Sequence, residues 1–328
     1  MMLIIKRHNT DPYFNLATEE YVLKNFDEDV FMLWRNAPSI IVGKHQNTLA
    51  EINVDYVKQN NIPVVRRLSG GGAVFHDLGN LNFTFIRNGE AERLIDFRRY
   101  TEPILEVLLK IGVAAKFEGR NDLTIDGRKF SGNAEHIWKN RVLHHGTLLF
   151  SSHMPNLAEA LHADPLKFQD KSVKSVRSRV TNISEHLKFP MDVLQFEALI
   201  EDHMTEKYPD ARLIELSSED HDQIHALVKD KYHTWEWNFG YSPNYNFRKI
   251  VRTEKGGTLE FDLDVHNGII THIKIFGDYF SRYDTEDIET ALTGIEHHPD
   301  AISRALATFT IDDYFANLTL EDFMPGIF

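Results

Sequence analysis

The chain has 328 residues, 42% of them hydrophobic and 11% aromatic, which is enough apolar mass for one large domain and a smaller one, or for two comparable ones. Its formal net charge of −13, from 36 basic and 49 acidic residues, argues against a broad nonspecific nucleic-acid surface, which needs excess Lys and Arg. There is no cysteine, so disulfides, thiolate metal sites and a cysteine nucleophile are excluded.

The opening Met1 to Arg7 is too short and too soon charged for a signal peptide, and no apolar run approaches the ~18 residues of a membrane span. The expectation is a cytoplasmic protein with neither membrane nor nucleic acid as partner. Asp11-Pro12 followed by Tyr13 to Phe26 reads as a capped helix, with Phe14, Ala17, Tyr21 and Val22 as its buried stripe. Val30 to Trp34, Ser39 to Val42 and Ile62 to Val65 read as strands. Leu81, Phe83 and Phe85 alternate with Asn80, Asn82 and Thr84, the period of a strand with one polar face.

Thr101 to Ile111 reads as a helix capped by Thr101 and stopped at Gly112. Asn121 to Ile125, then Asp126-Gly127, then Arg128 to Ser131 is a β-hairpin signature. Arg141 to Phe150 follows as a strand, and Val193 to Tyr208 and Glu219 to His233 as helices. The Trp- and Asn-rich stretch Trp235 to Asn244 reads as the end of the large domain and the linker. Beyond it, Arg248 to Glu254, Thr258 to Val265 and Ile269 to Phe276 form a predicted three-stranded meander, turning at Gly256-Gly257 and Asn267-Gly268. Helical patterns near 286–292 and 300–309 complete a small α+β domain of about 80 residues.

The segment from Arg66 to Asn80 carries the strongest chemical signal. It sets two arginines, the run Gly70-Gly71-Gly72 and the pair His76-Asp77 between two strand-like runs. Three glycines in a strand interior would pack nothing, whereas a loop laying backbone N–H groups against an anion has a use for all three. The arginines are expected to supply the opposite charge. Neither the P-loop nor the dinucleotide pattern is present.

A second signal is Lys129, flanked by Asn121-Asp122 and by Ser131-Gly132-Asn133-Ala134. A lysine there could neutralise a carboxylate and an α-phosphate together, the charge problem of making an acyl-adenylate. A third is the cluster Lys171, Lys174, Arg177 and Arg179, either a solvated basic loop or a lid over a nucleotide. The pairs His144-His145 and His297-His298 put adjacent histidines on opposite strand faces, and His221 and His225 stand at helical i, i+4 spacing; none carries a zinc motif.

Together these segments resemble the lipoate–protein ligase family. The resemblance rests on Arg66-Arg67-x-Ser69-Gly70-Gly71-Gly72-Ala73-Val74-Phe75-His76-Asp77-x-Gly79-Asn80, on Gly119 to Leu123, on Arg128-Lys129-x-Ser131-Gly132, on His144 to Leu149, on Ser175 to Asn182 and on Trp235-x-Trp237-Asn238-Phe239-Gly240. It implies an α+β fold: a large mixed-sheet catalytic domain of the biotin/lipoate protein ligase type at 1–246, and a small C-terminal α+β accessory domain at 247–328. It implies that ATP with Mg2+ converts lipoate or octanoate to the acyl-adenylate. A lysine of an acceptor lipoyl domain, on the glycine-cleavage H protein or a 2-oxoacid dehydrogenase E2 subunit, then takes the acyl group. The enzyme is expected to be a monomer.

Carried over by position, Lys129 is the catalytic residue. Arg67, Ser69, Gly70, Gly71, Gly72, Ala73, Val74, His76 and His145 face the lipoyl group. Phe75, Asn80, Asn121, Asp122, Ser131, Gly132, Ala134, Arg177 and Thr181 surround ATP and the adenylate, with Asp122 a candidate for Mg2+. The alternatives are an octanoyl or lipoyl transferase of the same fold, for which the missing cysteine is the discriminating absence, and a non-catalytic lipoyl-domain-binding protein, which should need neither Lys129 nor the basic segment.

Overall fold

The computed structural model describes residues 1–89, 96–161, 168–170, 180–253, 258–279 and 281–328. The chain forms two compact units. One comprises Met1–Lys44, Asn60–Leu161 and Ser175–Thr234, and the other His45–Gln59, His162–Lys174 and Trp235–Phe328. Strands β1–β15 and helices α1–α8 are numbered along the whole chain.

The first unit is built on β1 (Met2–Ile5), α1 (Pro12–Asn25), β2 (Asp29–Trp34) and β3 (Ser39–Val42). In the second, α2 (Val54–Gln59) follows, and the chain returns to the first for β4 (Val64–Arg66), β5 (Val74–His76) and β6 (Asn80–Asn88). Then come α3 (Phe97–Lys110), β7 (Ala115–Glu118), β8 (Asp122–Ile125), β9 (Arg128–Trp138), β10 (Arg141–Leu149) and α4 (Met154–Ala160). β11 (Phe168–Asp170) belongs to the second unit, and α5 (Val193–Lys207), β12 (Arg212–Ile214) and α6 (Ser218–Leu227) to the first.

The first unit's main sheet runs β12-β1-β2-β6-β10-β9-β8-β7. β1 is parallel to β12 and β2, and the other pairings are antiparallel. A smaller sheet, β4-β3-β5, carries the glycine segment between its outer strands. The alternation along β6 works out as the sequence pattern predicts. Leu81, Phe83 and Phe85 enter the core with Ile104, Val107 and Leu108 of α3 and Phe196, Ile200 and Met204 of α5. Asn80, Asn82 and Thr84 take the other face and are also buried.

α1 begins as expected, with the Asp11 carboxylate accepting from the Tyr13 and Phe14 N–H groups and Pro12 in the first turn. Its buried surface is wider than the predicted stripe. Asn15, Thr18, Glu19 and Glu20 are buried as well, while Tyr21 is half-buried and donates to Asp220 of α6 at 2.7 Å. α3 departs from expectation: its N-cap is Asp96, not Thr101. Thr101 lies inside the helix and its hydroxyl donates back to the Phe97 and Arg98 carbonyls, at 2.8 and 3.2 Å. Burial of Tyr100 beside Ile104 carries the helix one turn earlier than its Thr-Glu-Pro sequence suggests.

In the second unit β13 (Tyr245–Arg252), β14 (Thr258–His266) and β15 (Ile269–Gly277) form the predicted antiparallel meander, to which β11 adds a fourth strand. α7 (Glu286–Leu292) and α8 (Pro299–Leu306) follow. Residues 235–244, expected to end the large domain, belong to the second unit. They hold a helical turn at Glu236–Gly240, and the Trp235 ring lies so close to Gly268 that a side chain there would meet it at 2.6 Å. His297, fully buried, accepts from Tyr245 and bonds the Ile327 carbonyl, and Phe323 and Ile327 are buried completely.

Candidate functional site

The glycine segment leaves β4 at Arg66 and enters β5 at Val74. Of its three glycines only Gly71 has a left-handed backbone, φ +89°. Its carbonyl oxygen lies so near Gly43 that a Cβ there would approach it to 2.0 Å. Both arginines, expected to face an anion, direct donors to the protein's own backbone. Arg66 is fully buried and donates to the Gly43 and Lys44 carbonyls at 3.0 Å each. Arg67 donates to the Ile41, Gly70 and Gly72 carbonyls at 3.2, 2.6 and 2.8 Å and to Ser69 Oγ at 3.0 Å. Arg67 clamps the loop's own backbone, and Arg66 holds the backbone just after β3. Burial brings Arg67 down to about 10, against the pull of Glu19.

Both halves of the His76-Asp77 pair are structurally engaged. Asp77 accepts from the Gly79 and His153 N–H groups at 2.9 and 2.7 Å, closing the turn into β6. Gly79 is required there, since a Cβ would fall 2.3 Å from the Ser151 carbonyl oxygen. His76 Nδ1 faces the Asn36 amide at 3.1 Å and accepts from it, so the proton sits on Nε2. Burial, with Arg67 and His145 nearby, lowers His76 to about 3, so it is neutral.

His144 and His145 take opposite faces of β10, as their adjacency requires. His144 points into the core against Glu135 at 2.9 Å and the Tyr100 ring at 4.8 Å. His145 faces the glycine segment: its Nε2 lies 2.5 Å from Ser69 Oγ and its Nδ1 3.0 Å from both oxygens of Glu19. Across β6, Thr84 lies opposite His145, and Asn80 donates to Asn82 at 2.9 Å. Among the described residues, His76 Nε2, Asn80 Oδ1 and Asn82 Nδ2 are buried without a partner. Such groups are costly unless something completes them, and a polar ligand lying on this face would do so.

Lys129 follows the Asp126-Gly127 turn, and its ammonium lies 2.8 Å from Asp122 on β8, both side chains about one-third exposed. Gly132 keeps that side open, because a Cβ on it would stand 3.1 Å from Lys129 Nζ. The Asn121 amide donates to the Asn133 carbonyl at 2.5 Å, and Asn133 donates to Ser131 Oγ at 3.2 Å. Ala134 pairs with His145, sharing its face of the sheet. Thr181 N–H donates to the Lys129 carbonyl at 3.0 Å, tying 180–181 to the lysine strand. Ala73, Val74 and Phe75 continue from the glycine run into β5. Lys171, Lys174, Arg177 and Arg179 lie outside the described residues.

Sequence reading missed the acidic pair Glu19 and Glu20 on α1. Glu20 accepts from Lys24, Lys231 and Tyr232 at 2.5, 2.6 and 2.7 Å. Burial alone would raise its pKa, but these donors bring it below the ordinary value. His136, on the same strand as Lys129, is lowered to about 4 by burial and by Lys44, against Glu20. His221 and His225 pack on the Phe14 ring at 5.4 and 4.9 Å. Asp122 is the carboxylate that contacts Lys129, and no group of three potential metal ligands occurs among the described residues. One carboxylate suits Mg2+ that arrives bound to phosphates, since that ion keeps most of its ligands as water and phosphate oxygen.

The family model described as the lipoyl protein ligase A/B catalytic domain matches residues 11–205, and that of the bacterial lipoate protein ligase C-terminus matches 242–327. The lipoate-protein ligase LplJ of Bacillus subtilis is 41% identical, with 100% of both chains covered. Lipoate–protein ligase 1 of Staphylococcus aureus is 44% identical over 97% of each chain. Among solved structures, P. falciparum LipL1 in complex with lipoate has a TM-score of 0.63 at 26% identity, covering 100% of this chain and 98% of that one.

Proposed function

The chain belongs to the lipoate–protein ligase family, and from that premise we propose that it joins lipoate to acceptor proteins in two ATP-driven steps. A lipoate carboxylate oxygen attacks the α-phosphorus of ATP, forming the mixed anhydride lipoyl-adenylate and releasing pyrophosphate. The ε-amine of an acceptor lysine then attacks the acyl carbon, the bond to AMP breaks, and the amine gives up a proton as the amide forms.

The observation that carries this reading is the placement of Lys129. Its ammonium stands beside Asp122, partly open to solvent, on a side that Gly132 leaves clear. Charge develops where carboxylate and α-phosphate meet, and a fixed ammonium there stabilises the transition state. Arg67, Ser69, Gly70 to Val74, His76 and His145 take the lipoyl group. Phe75, Asn80, Asn121, Asp122, Ser131, Gly132, Ala134, Thr181 and the basic residue Arg177 take the nucleotide. Asp122 is the residue that would hold Mg2+, whose chemistry is to draw charge from the phosphate oxygens.

The reading places the catalytic domain at 1–246 and the accessory domain at 247–328, in a cytoplasmic monomer. Its acceptors are lipoyl domains of the glycine-cleavage H protein and of 2-oxoacid dehydrogenase E2 subunits. With no cysteine in the chain, transfer through a thioester on the enzyme has no nucleophile. The test is ATP–pyrophosphate exchange with lipoate, octanoate and biotin supplied separately and no acceptor present. Exchange driven by lipoate supports the ligase; no exchange with any of the three acids refutes activation in the absence of acceptor.

A further inference from the structure

Two buried polar relays leave one face of α1 and end at opposite ends of the glycine segment. The first starts at Glu19. Its carboxylate accepts from His145 Nδ1 at 3.0 Å and from Thr84 Oγ1 at 2.6 Å, and Trp34 in turn donates to Thr84 at 2.8 Å. With Nδ1 holding the proton, His145 Nε2 is the acceptor, and it receives Ser69 O–H at 2.5 Å. The second starts four residues earlier, at Asn15. Its amide donates to Asn36 Oδ1 at 2.8 Å, and the Asn36 amide donates to His76 Nδ1 at 3.1 Å.

Positions i and i+4 share a helix face, so Asn15 and Glu19 address the loop from one rigid element. Arg7 ties that face together: it donates to Asn15 and, at 3.1 Å, to Thr18, and it lies close enough to Glu19 for the carboxylate to oppose its loss of charge. Glu19 is 2% exposed and Asn15 fully buried. Two such groups, one of them a carboxylate, are costly to bury and are far more than helix packing requires.

We propose that Asn15 and Glu19 are positioning residues for the ligase reaction, the first fixing the His76 end of the glycine segment and the second the Ser69 end. Ser69 and His76 are held with defined proton positions before any ligand arrives, and the backbone between them is pre-set by the Arg67 clamp. The consequence for catalysis rests on the function proposed above; the hydrogen-exchange experiment does not, because it reads the free protein.

The experiment is hydrogen exchange by mass spectrometry on the full chain without ligand. Glu19→Ala should speed exchange in 67–73 by about tenfold or more while 74–80 changes little, and Asn15→Ala should do the reverse. Glu19→Gln, which keeps one acceptor for His145, should return 67–73 to within about threefold of the wild type. If Glu19→Ala does not fold, the isosteric Thr84→Val, which removes the anchor of the carboxylate, carries the same expectation, as Asn36→Ala does for Asn15→Ala. Unchanged exchange in the glycine segment, or a rise shared equally by α3 and α5, overturns the proposal. For the enzyme in pyrophosphate exchange, Glu19→Ala should raise KM for lipoate with KM for ATP kept within about twofold, and Glu19→Gln should bring it back toward the wild type; a parallel rise in both constants also overturns the proposal.

Discussion

Replacing Gly43 by alanine tests whether the glycine segment works only in its observed position. A Cβ on Gly43 would lie 2.0 Å from the Gly71 carbonyl oxygen and 3.0 Å from its carbon. Van der Waals contact needs more than about 3 Å, so either the end of β3 or the loop must move by at least about an ångström. The loop has little freedom to absorb this. Gly71 already has φ +89°, and Arg67 pins the carbonyls of Gly70 and Gly72 on either side. Overpacking of this kind costs about 1–3 kcal/mol, which a domain stable by ~5–15 kcal/mol survives. A shift of about an ångström in a positioning element costs on the order of 100-fold in rate. Lipoate-dependent pyrophosphate exchange should therefore fall about 100-fold in kcat/KM for Gly43→Ala, with the thermal transition lowered but cooperative. Gly294→Ala is the control: it has φ +83° with nothing within 4 Å of the added carbon, and it should lose stability without losing exchange. Exchange at the wild-type rate in Gly43→Ala refutes the argument that the position of the loop's backbone sets activity.

Three further outcomes follow from named contacts. Lys129→Ala should lower the rate of adenylate formation by about 10²–10³, yet leave urea stability within about 1 kcal/mol because the pair with Asp122 is partly exposed; near-normal pyrophosphate release rejects its catalytic role. Glu135 is pushed up to about 7, chiefly by burial, and His144, at 2.9 Å, is held well below its usual value by burial. Between about pH 4.5 and 6.5 the folded pair then keeps one proton, on Glu135, and the unfolded chain also binds one, on His144, so the pair contributes no slope there. Glu135→Gln leaves His144 alone to take up a proton on unfolding, so the variant should lose about 1.4 kcal/mol per pH unit relative to wild type as pH falls through that window; parallel stability curves from urea titrations at about pH 5 and 6.5 would show the assignment wrong. Deleting 323–328 removes two fully buried side chains, Phe323 and Ile327, and the acceptor for His297. Limited proteolysis should then cut the second unit at least about tenfold faster, on the order of the loss expected for large core truncations; equal rates would mean the tail is dispensable.

Much of the fold was legible because its signals are local. The alternation of Asn80, Asn82 and Thr84 with Leu81, Phe83 and Phe85 needs only the two-residue period of a strand, and the Asp11-Pro12 start needs only a side-chain acceptor and a fixed φ. The start of α3 was misplaced for an equally local reason. Thr-Glu-Pro imitates a helix start, whereas the decision is made by burial of Tyr100, a tertiary event. Ser69, His145, Lys129 and Asp122 were visible as residue types in motifs, but the pairs they form cross the sheets.

What sequence could not supply is where a charged side chain spends its hydrogen bonds. Two arginines beside a glycine run suggest an anion, because an arginine's five donors and positive charge fit one. The carbonyls that take those donors belong to Ile41, Gly43 and Lys44, along and just after β3, and to Gly70 and Gly72 within a loop whose course is itself unknown from sequence. Glu19 and Glu20 present the converse case. On an isolated helix two adjacent carboxylates mark a solvated face, and only the β-sheet on one side and Lys231 and Tyr232 on the other turn them into buried anchors. These partners lie 65, 126, 211 and 212 residues away in sequence. A buried carboxylate is tolerable only when such donors surround it, so the cost of Glu19 in the core is itself an argument that the polar face of β6 and β10 is organised around the glycine segment rather than around the packing of α1.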